Sequence, residues 1–197
     1  MIAVTLASKS ATRAAILRGA GVDFEVVASG IDEEAVKPAL LEGGGTPRSV
    51  AAELATLKAV AVSRTRPGLV IGADQTLDLD GALRDKAADM SEARERLLSL
   101  RGRTHRLHAA VVVARDGATV WRLTDTASLT MRAFSQAFLD GYLARVSERV
   151  LSSVGGYQIE GAGAQLFEAI DGDYFSILGL PLIPLLGVLR REGALGL

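Results

Sequence analysis

Residues 68–81 read GLVIGADQTLDLDG, and the fold turns on how they are read. Val70 to Ala73 have the character of a buried strand and deliver the chain to one acid, Asp74, followed at once by Gln75 and Thr76. Asp80-Gly81 is a hairpin signal, because a two-residue type I′ turn needs φ above zero at both central positions. In the tightest such hairpin Gln75 lies opposite Lys86, with Asp74 diagonal to it. A one-residue bulge would instead bring Lys86 to the face of Asp74. Either register sets a carboxylate near an ammonium at the mouth of a sheet, where open α/β sheets bind ligands. The plain alternative is a surface salt bridge beside a turn, and Asp78 and Asp80 read as turn chemistry.

Working outward, strands and helices interleave. IAVTLA (2–7) reads as a buried strand, and SATRAAILRGAG as a helix capped by Ser10 and stopped at Gly19 or Gly21. DFEVVAS (23–29) is a second strand, GIDEEAVK a polar connection, and EGGGTPRS (42–49) a flexible one. Thr46-Pro47 opens a helix with Val50, Leu54, Leu57 and Ala61 at helical spacing. Downstream, MSEARERLLSLRG (90–102) is a helix with Ser91 as its cap, and HRLHAAVVVA and TVWRLTDTASLTM form a long hairpin around RDGA (115–118). SQAFLDGYLARV is helical, SVGGYQIEGAGAQLF is glycine-rich, DYFSILGL is a late strand, and LPLIPLLGVLRREGAL is a closing helix. Because several strand pairs are hairpins, the expected class is α/β with a mixed sheet.

Composition narrows the chemistry. The 197 residues are 49% hydrophobic and 23% charged, the balance of a folded chain, and with 5% aromatics the core must be aliphatic and alanine. Twenty-two basic against 23 acidic residues give a net charge of −1, which argues against a nucleic acid polymer as partner. The absence of cysteine removes disulfides, thiolate zinc sites and cysteine nucleophiles. A metal, if used, is then a hard divalent ion on carboxylate and substrate oxygens. No apolar run reaches the ~20 residues that span a bilayer, and no basic region precedes the apolar start. The expected location is the cytoplasm, away from membranes.

The junction LASKSATR (6–13) is the second place for chemistry. A helix N-terminus offers free backbone N–H groups and a positive dipole end, to which Ser8, Ser10, Lys9 and Arg13 add hydroxyls and charge. The alternative is an ordinary capped helix with solvated basic residues. No Walker A loop occurs. Lys58 stands at the edge of its helix's apolar stripe, where most lysines reach for water. Asp32, Glu33 and Glu34 read as a solvated run, and GGYQIEGAGAQ (155–165) as close backbone approach or a tight turn. His105 and His108 point to opposite faces of a strand and fail as a metal pair. Together these parts suit phosphoryl or nucleotidyl transfer, in which positioning and charge neutralisation dominate.

In this order LASKSATRAAILRGAGVDFEVVASGIDEE, LATLKA, VIGADQT, LLSLRGRTH and GGYQIEGAGAQLFEAIDGDYFSILGLPL, with the terminal helix, resemble the Maf family of nucleoside triphosphate pyrophosphatases. The likeness runs from residue 2 to about residue 191. It implies one Maf-like domain over 1–197, two α/β lobes around a cleft, related to inosine triphosphate pyrophosphatases. It also implies hydrolysis of a nucleoside triphosphate to the monophosphate and pyrophosphate with Mg2+ or Mn2+, and a homodimer as a common assembly. By the family's pattern Ser8 and Arg13 hold phosphates, Lys58 and Lys86 add charge, and Glu33 and Asp74 serve the metal. Asp74 also orients and deprotonates the attacking water, and Glu160 lines the same cleft. Since a carboxylate of ordinary pKa, about 4, is a weak base, metal-assisted activation is expected over Asp74 acting alone. The first motif departs from the family's S-x-S-P-R-R, with Ala11 and Thr12 at its proline and first arginine. Gln75 and Glu160 resemble the branch acting on 7-methyl-GTP, although that branch tends to carry an aromatic residue at the place of Thr12, and Ala87 stands where a proline is usual. The alternatives are a dTTP or UTP pyrophosphatase of the same family and a nucleotide-binding regulator of cell division.

Overall fold

The computed structural model describes residues 2–196. In chain order its elements are β1 (Val4–Leu6), α1 (Ala11–Gly19), β2 (Glu25–Val26), α2 (Glu33–Glu42), α3 (Pro47–Ser63), β3 (Leu69–Leu79), β4 (Ala82–Arg84), α4 (Met90–Leu100), β5 (Thr104–Arg115), β6 (Ala118–Met131), α5 (Gln136–Val146), β7 (Phe167–Asp171), α6 (Tyr174–Ile177) and α7 (Leu182–Arg191). Two 3₁₀ turns, Ser147–Ser152 and Ala162–Leu166, lie between α5 and β7. The strands form one mixed sheet in the order β2-β1-β3-β5-β6-β7, with β4 paired to β3. β1 is parallel to β2 and β3, and the remaining pairs are antiparallel. The expected mixed α/β class is what forms.

β3 decides the layout. β5 covers one of its edges continuously from Val70 to Asp78. The other edge is shared: β1 pairs with Leu69–Ile71 and β4 with Leu77–Leu79. Residues 72–76 therefore have no strand partner on that edge, and this break is where the chemistry collects. Side chains alternate across the strand. Leu69, Ile71 and Ala73 join the core under α1 and α7, while Leu77 and Leu79 join a second core under α4 and α5. Val70, Gly72, Asp74 and Thr76 face the other way, toward α3.

α3 lies unusually close to β3. A Cβ on Gly72 would fall 2.6 Å from Ala59 N and 2.8 Å from Ala59 Cβ, and closer still to the Ala55 carbonyl oxygen. Ala51, Ala55, Ala59, Ala110, Val112 and Ala114 form the layer between helix and sheet, which is where the alanine-rich core predicted from composition is built. The helix begins as expected at Thr46, whose side chain and that of Ser49 cap each other's backbone, with Pro47 in the first turn. Its buried stripe differs from the expected one. Val50 and Leu54 are buried, but Leu57 is exposed, and Ala51, Ala55, Lys58, Ala59 and Val62 complete the inward face.

Several expectations are corrected. GIDEEAVK (30–37) is not a connection throughout: α2 begins within it at Glu33, capped by Asp32, and carries Pro38 inside it. DYFSILGL is not a strand. Asp173 caps a single helical turn by accepting from Ser176 N, and the late strand is β7, upstream. Asp89 rather than Ser91 caps α4. The second strand shrinks to Glu25–Val26. The two-residue turn at Asp80-Gly81 forms with φ of 54° and 83°, and the register Leu77↔Arg84 to Leu79↔Ala82 is the tight one, without a bulge. The ladder nevertheless stops at Arg84, so Lys86 never reaches the place opposite Gln75.

Candidate active site

A cleft of about 970 Å³ opens at the broken edge of β3, lined from α1, α2, α3, β3, the segment after β4, the glycine-rich stretch and α6. Because the break exposes both faces of the strand, neighbouring residues reach the cleft from opposite sides. Asp74 enters from the α3 face and Gln75 from the α6 face. Of the residues expected at the site, Ser8, Thr12, Arg13, Glu33, Lys58, Asp74, Gln75, Lys86 and Glu160 all line this one cleft.

At its floor Lys58 and Asp74 are both 5% exposed. Lys58 Nζ lies 2.6 Å from an Asp74 oxygen and 2.6 Å from a Glu33 oxygen, so the two carboxylates converge on one ammonium and are no further apart than twice that distance. Lys58 is therefore not a lysine that reaches for water. The close approach allowed by Gly72 sets the helix low enough for this contact. Burial pushes the Glu33 carboxyl up, but the hydrogen bond and charge of Lys58, with Lys37 and Arg13, outweigh it and hold Glu33 below the usual carboxylate range. A buried charge left unpaired is costly, so Lys58 and Asp74 each depend on the other, and Glu33, which is less buried, adds a second partner for Lys58.

On the other face, Ser10 caps α1 by accepting from Arg13 N, leaving the amides of Ala11 and Thr12 free in the first turn. Ser8 is buried, and its Oγ accepts from Ser10 N at 3.2 Å and from Arg13 Nη1 at 3.3 Å. Its hydroxyl proton is thereby left to donate toward an anion. Arg13 also donates Nε to Gly179 O and Nη1 to Ala73 O, each at 2.9 Å. Three of its five N–H groups thus brace the chain across the open edge, and the Nη2 pair is left for a ligand. Burial lowers its pKa, against the pull of Asp74 and Glu33. Gln75 donates Nε2 to Ser176 O at 3.1 Å and Ile177 O at 2.9 Å, so its amide protons pin α6 and Oε1 is left as its acceptor.

The remaining residues stand at the rim. Lys86 and Glu160 are exposed, and Thr12 is half-buried in the first turn of α1. Two participants escaped the sequence reading. Lys37 bonds Asp85 at 2.5 Å and approaches Glu33 at 3.8 Å, and burial, which lowers its pKa, is outweighed by Asp85, Asp74 and Glu33, which raise it. Nothing local marks either residue; only α2, whose helicity was missed, brings 37 to 85.

The cleft carries five basic side chains (Lys9, Arg13, Lys37, Lys58, Lys86) and five acidic ones (Glu33, Glu34, Asp74, Asp85, Glu160). A polyanion entering alone would meet little net attraction, whereas one entering with a divalent cation would find donors for both charges. Among the described residues no group of three or more acidic or histidine side chains is arranged to hold a metal. The oxygens of Glu33 and Asp74 that converge are taken by Lys58, but each carboxylate has a second oxygen, and one or two carboxylates are what Mg2+ takes from a protein, with phosphates and water supplying the rest. Fold and site together define a mixed α/β protein with a polar cleft of mixed charge at the broken edge of its sheet.

Comparison with known families matches residues 3–192 to the family described as "Maf-like protein". The chain belongs to the Maf family. It is 59% identical over 192 residues to a protein of Caulobacter vibrioides named nucleoside triphosphate pyrophosphatase, covering 98% of this chain and 96% of that one. It is 52% identical to a protein of Brucella abortus named 7-methyl-GTP pyrophosphatase, covering 97% and 96%. A Mesorhizobium japonicum protein of the latter name is 50% identical, covering 98% and 97%. Among the described residues no helix is long and apolar enough to cross a membrane.

Proposed function

We propose that the chain hydrolyses nucleoside triphosphates to the monophosphate and pyrophosphate, with 7-methyl-GTP the preferred substrate. The observation that carries this reading is the convergence of Asp74 and Glu33 on buried Lys58, across the broken sheet edge from the Ser8–Arg13 helix start. The names of the relatives agree with it.

In this mechanism the free amides of α1, the Ser8 hydroxyl and the Arg13 Nη2 group hold phosphate oxygens. Glu33 and Asp74 would hold Mg2+ or Mn2+, which would offset phosphate charge and acidify water. Asp74 orients a water for attack at the α-phosphorus and takes up its proton. The new O–P bond forms as the bond to the β-phosphate oxygen breaks, and Lys58, with Lys86 at the rim, balances the charge on departing pyrophosphate. Gln75 Oε1, an acceptor only, and Glu160 on the facing wall suit a base that presents N–H donors and, in 7-methylguanine, positive charge. The cytoplasmic nucleotide pool is the corresponding location, and the homodimer implied by the family resemblance is part of the same proposal.

The test is a panel of 7-methyl-GTP, GTP, dTTP, UTP, CTP and ITP with Mg2+ or Mn2+, scoring pyrophosphate separately from orthophosphate. Pyrophosphate release fastest from 7-methyl-GTP is expected. Preference for dTTP or UTP would keep the mechanism and overturn the base assignment. Binding without release would favour the regulator of cell division.

A further inference from the structure

Glu33 is the one member of the floor triad that comes from outside the sheet and α3. It rides on α2, whose attachment to the body is unlike that of the other long helices. α2 has no fully buried residue, and none of its side chains belongs to any of the hydrophobic clusters. Glycines in the left-handed region stand before and after it, Gly30 at φ 70° and Gly44 at φ 84°. Apolar packing therefore does little to fix where this helix sits.

Two charged contacts tie it down. One is Glu33 to Lys58, at the catalytic floor. The other, one turn further along the helix, is Lys37 to Asp85 at 2.5 Å. Asp85 is itself a firm anchor: its carbonyl oxygen accepts from Arg96 Nη1, which also donates to Val154 O at 3.0 Å. The α4 arginine thus binds the segment after β4 to the glycine-rich wall, and Asp85 offers that fixed corner to Lys37. Because Glu33 and Lys37 are four residues apart, they share one face of α2. Holding Lys37 holds Glu33 over Asp74.

We propose that Lys37 and Asp85 are positioning residues: their ion pair latches α2 across the cleft and places the Glu33 carboxylate at the catalytic floor. This rests on the reading of Glu33 as a working carboxylate under the proposed function. Neither residue need touch the substrate, and they act as a unit.

The acting-as-a-unit claim gives the test. Lys37→Met, Asp85→Asn and the double variant are compared in pyrophosphate release and in amide hydrogen exchange of residues 31–45. If the pair is a latch, each single change lowers kcat/KM by on the order of tenfold, the double variant is no worse than either single, and exchange over 31–45 rises by a similar factor in all three. The Lys37→Arg variant restores most of the loss. Additive losses, or a loss in Lys37→Met with Asp85→Asn at the wild-type rate, would show Lys37 acting on substrate directly and overturn the proposal. Unchanged exchange over 31–45 in both single variants would overturn it equally. Failure of the functional reading shows up separately, as no pyrophosphate release from any nucleotide by the unaltered protein, and the exchange readout still decides the latch in that case.

Discussion

Gly72→Ala is the sharpest probe of how the fold makes the site. The added Cβ would sit 2.6 Å from Ala59 N and 2.8 Å from Ala59 Cβ. Carbon contacts are comfortable only at about 3.5–4.0 Å, so α3 must retreat from β3 by roughly 1 Å. Backbone on both sides, rather than a pliable side chain, has to give way. Overpacking of this kind costs about 1–3 kcal/mol. For a chain of this size that corresponds to a fall in Tm of about 2–12 °C. The same retreat carries Lys58 away from Asp74, now 2.6 Å apart, and breaks their hydrogen bond. Displacement of a catalytic group by about 1 Å costs on the order of a hundredfold in rate. Calorimetric melting and pyrophosphate release read the two effects. Gly141→Ala is the matched control: the glycine lies inside α5, and an added Cβ there meets nothing within 4 Å. That variant should hold or gain up to about 1 kcal/mol, because alanine favours the helix. A Gly72→Ala protein with wild-type melting and full activity would refute the claim that close helix approach sets the Lys58–Asp74 contact.

Two further outcomes follow from buried charge. His105 is 1% exposed, bonds Tyr157 Oη through Nε2 at 2.6 Å, and is pushed down to about 4 by burial. The unfolded chain takes up that proton near pH 6.5 while the fold refuses it, so stability is complete above about pH 6.5 and is lost as pH falls toward 4. Between pH 7 and 4.5 this is worth about 2 kcal/mol. His108, also lowered chiefly by burial, adds to the same slope, so the comparison is with His105→Phe. Urea unfolding should show the pH-dependent loss shrinking by about 2 kcal/mol in that variant, and an unchanged slope would contradict the assignment. Lys58→Met leaves Glu33 and Asp74 facing each other without their shared counter-ion. It should lose about 3 kcal/mol at pH 7, with partial recovery near pH 5 as a carboxylate takes up a proton. Wild-type stability at pH 7 would show that the triad is not held together by Lys58.

Where the sequence carried a local signal, the structure could be read from it. Thr46-Pro47 announces α3 through its own cap, Asp80-Gly81 announces the β3–β4 turn through its φ values, and the hairpin of β5 and β6 follows from an apolar run and an alternating one on either side of Asp116-Gly117. α2 was missed because its acidic start reads as a solvated run, none of its residues is fully buried, and a proline lies inside it. Its tethers to the body in the proposed latch are two ion pairs, Glu33–Lys58 and Lys37–Asp85. DYFSILGL looks like a strand by composition, but Asp173 and the Gln75 amide select one helical turn there. In α3 the expectation of a single apolar stripe missed that the helix lies flat on alanines, and so placed Lys58 at the edge rather than in the middle of the buried face. Nine residues of the cleft were named from the family resemblance, but not Lys37 or Asp85. The geometry was not legible, because Lys37 and Asp85 meet across 48 positions of chain.

The measurement that bears most directly on the account is pyrophosphate release by Asp74→Asn beside the unaltered protein, with nucleotide binding followed by calorimetry on the same preparations. Asparagine keeps the size of the side chain and Lys58 keeps Glu33, so the fold and the α1 phosphate cradle should persist. The account predicts that release from 7-methyl-GTP is abolished while the nucleotide is still bound with affinity within about tenfold of wild type. Substantial turnover in Asp74→Asn would contradict it, and the carboxylate in the middle of β3 would then have no part in the chemistry.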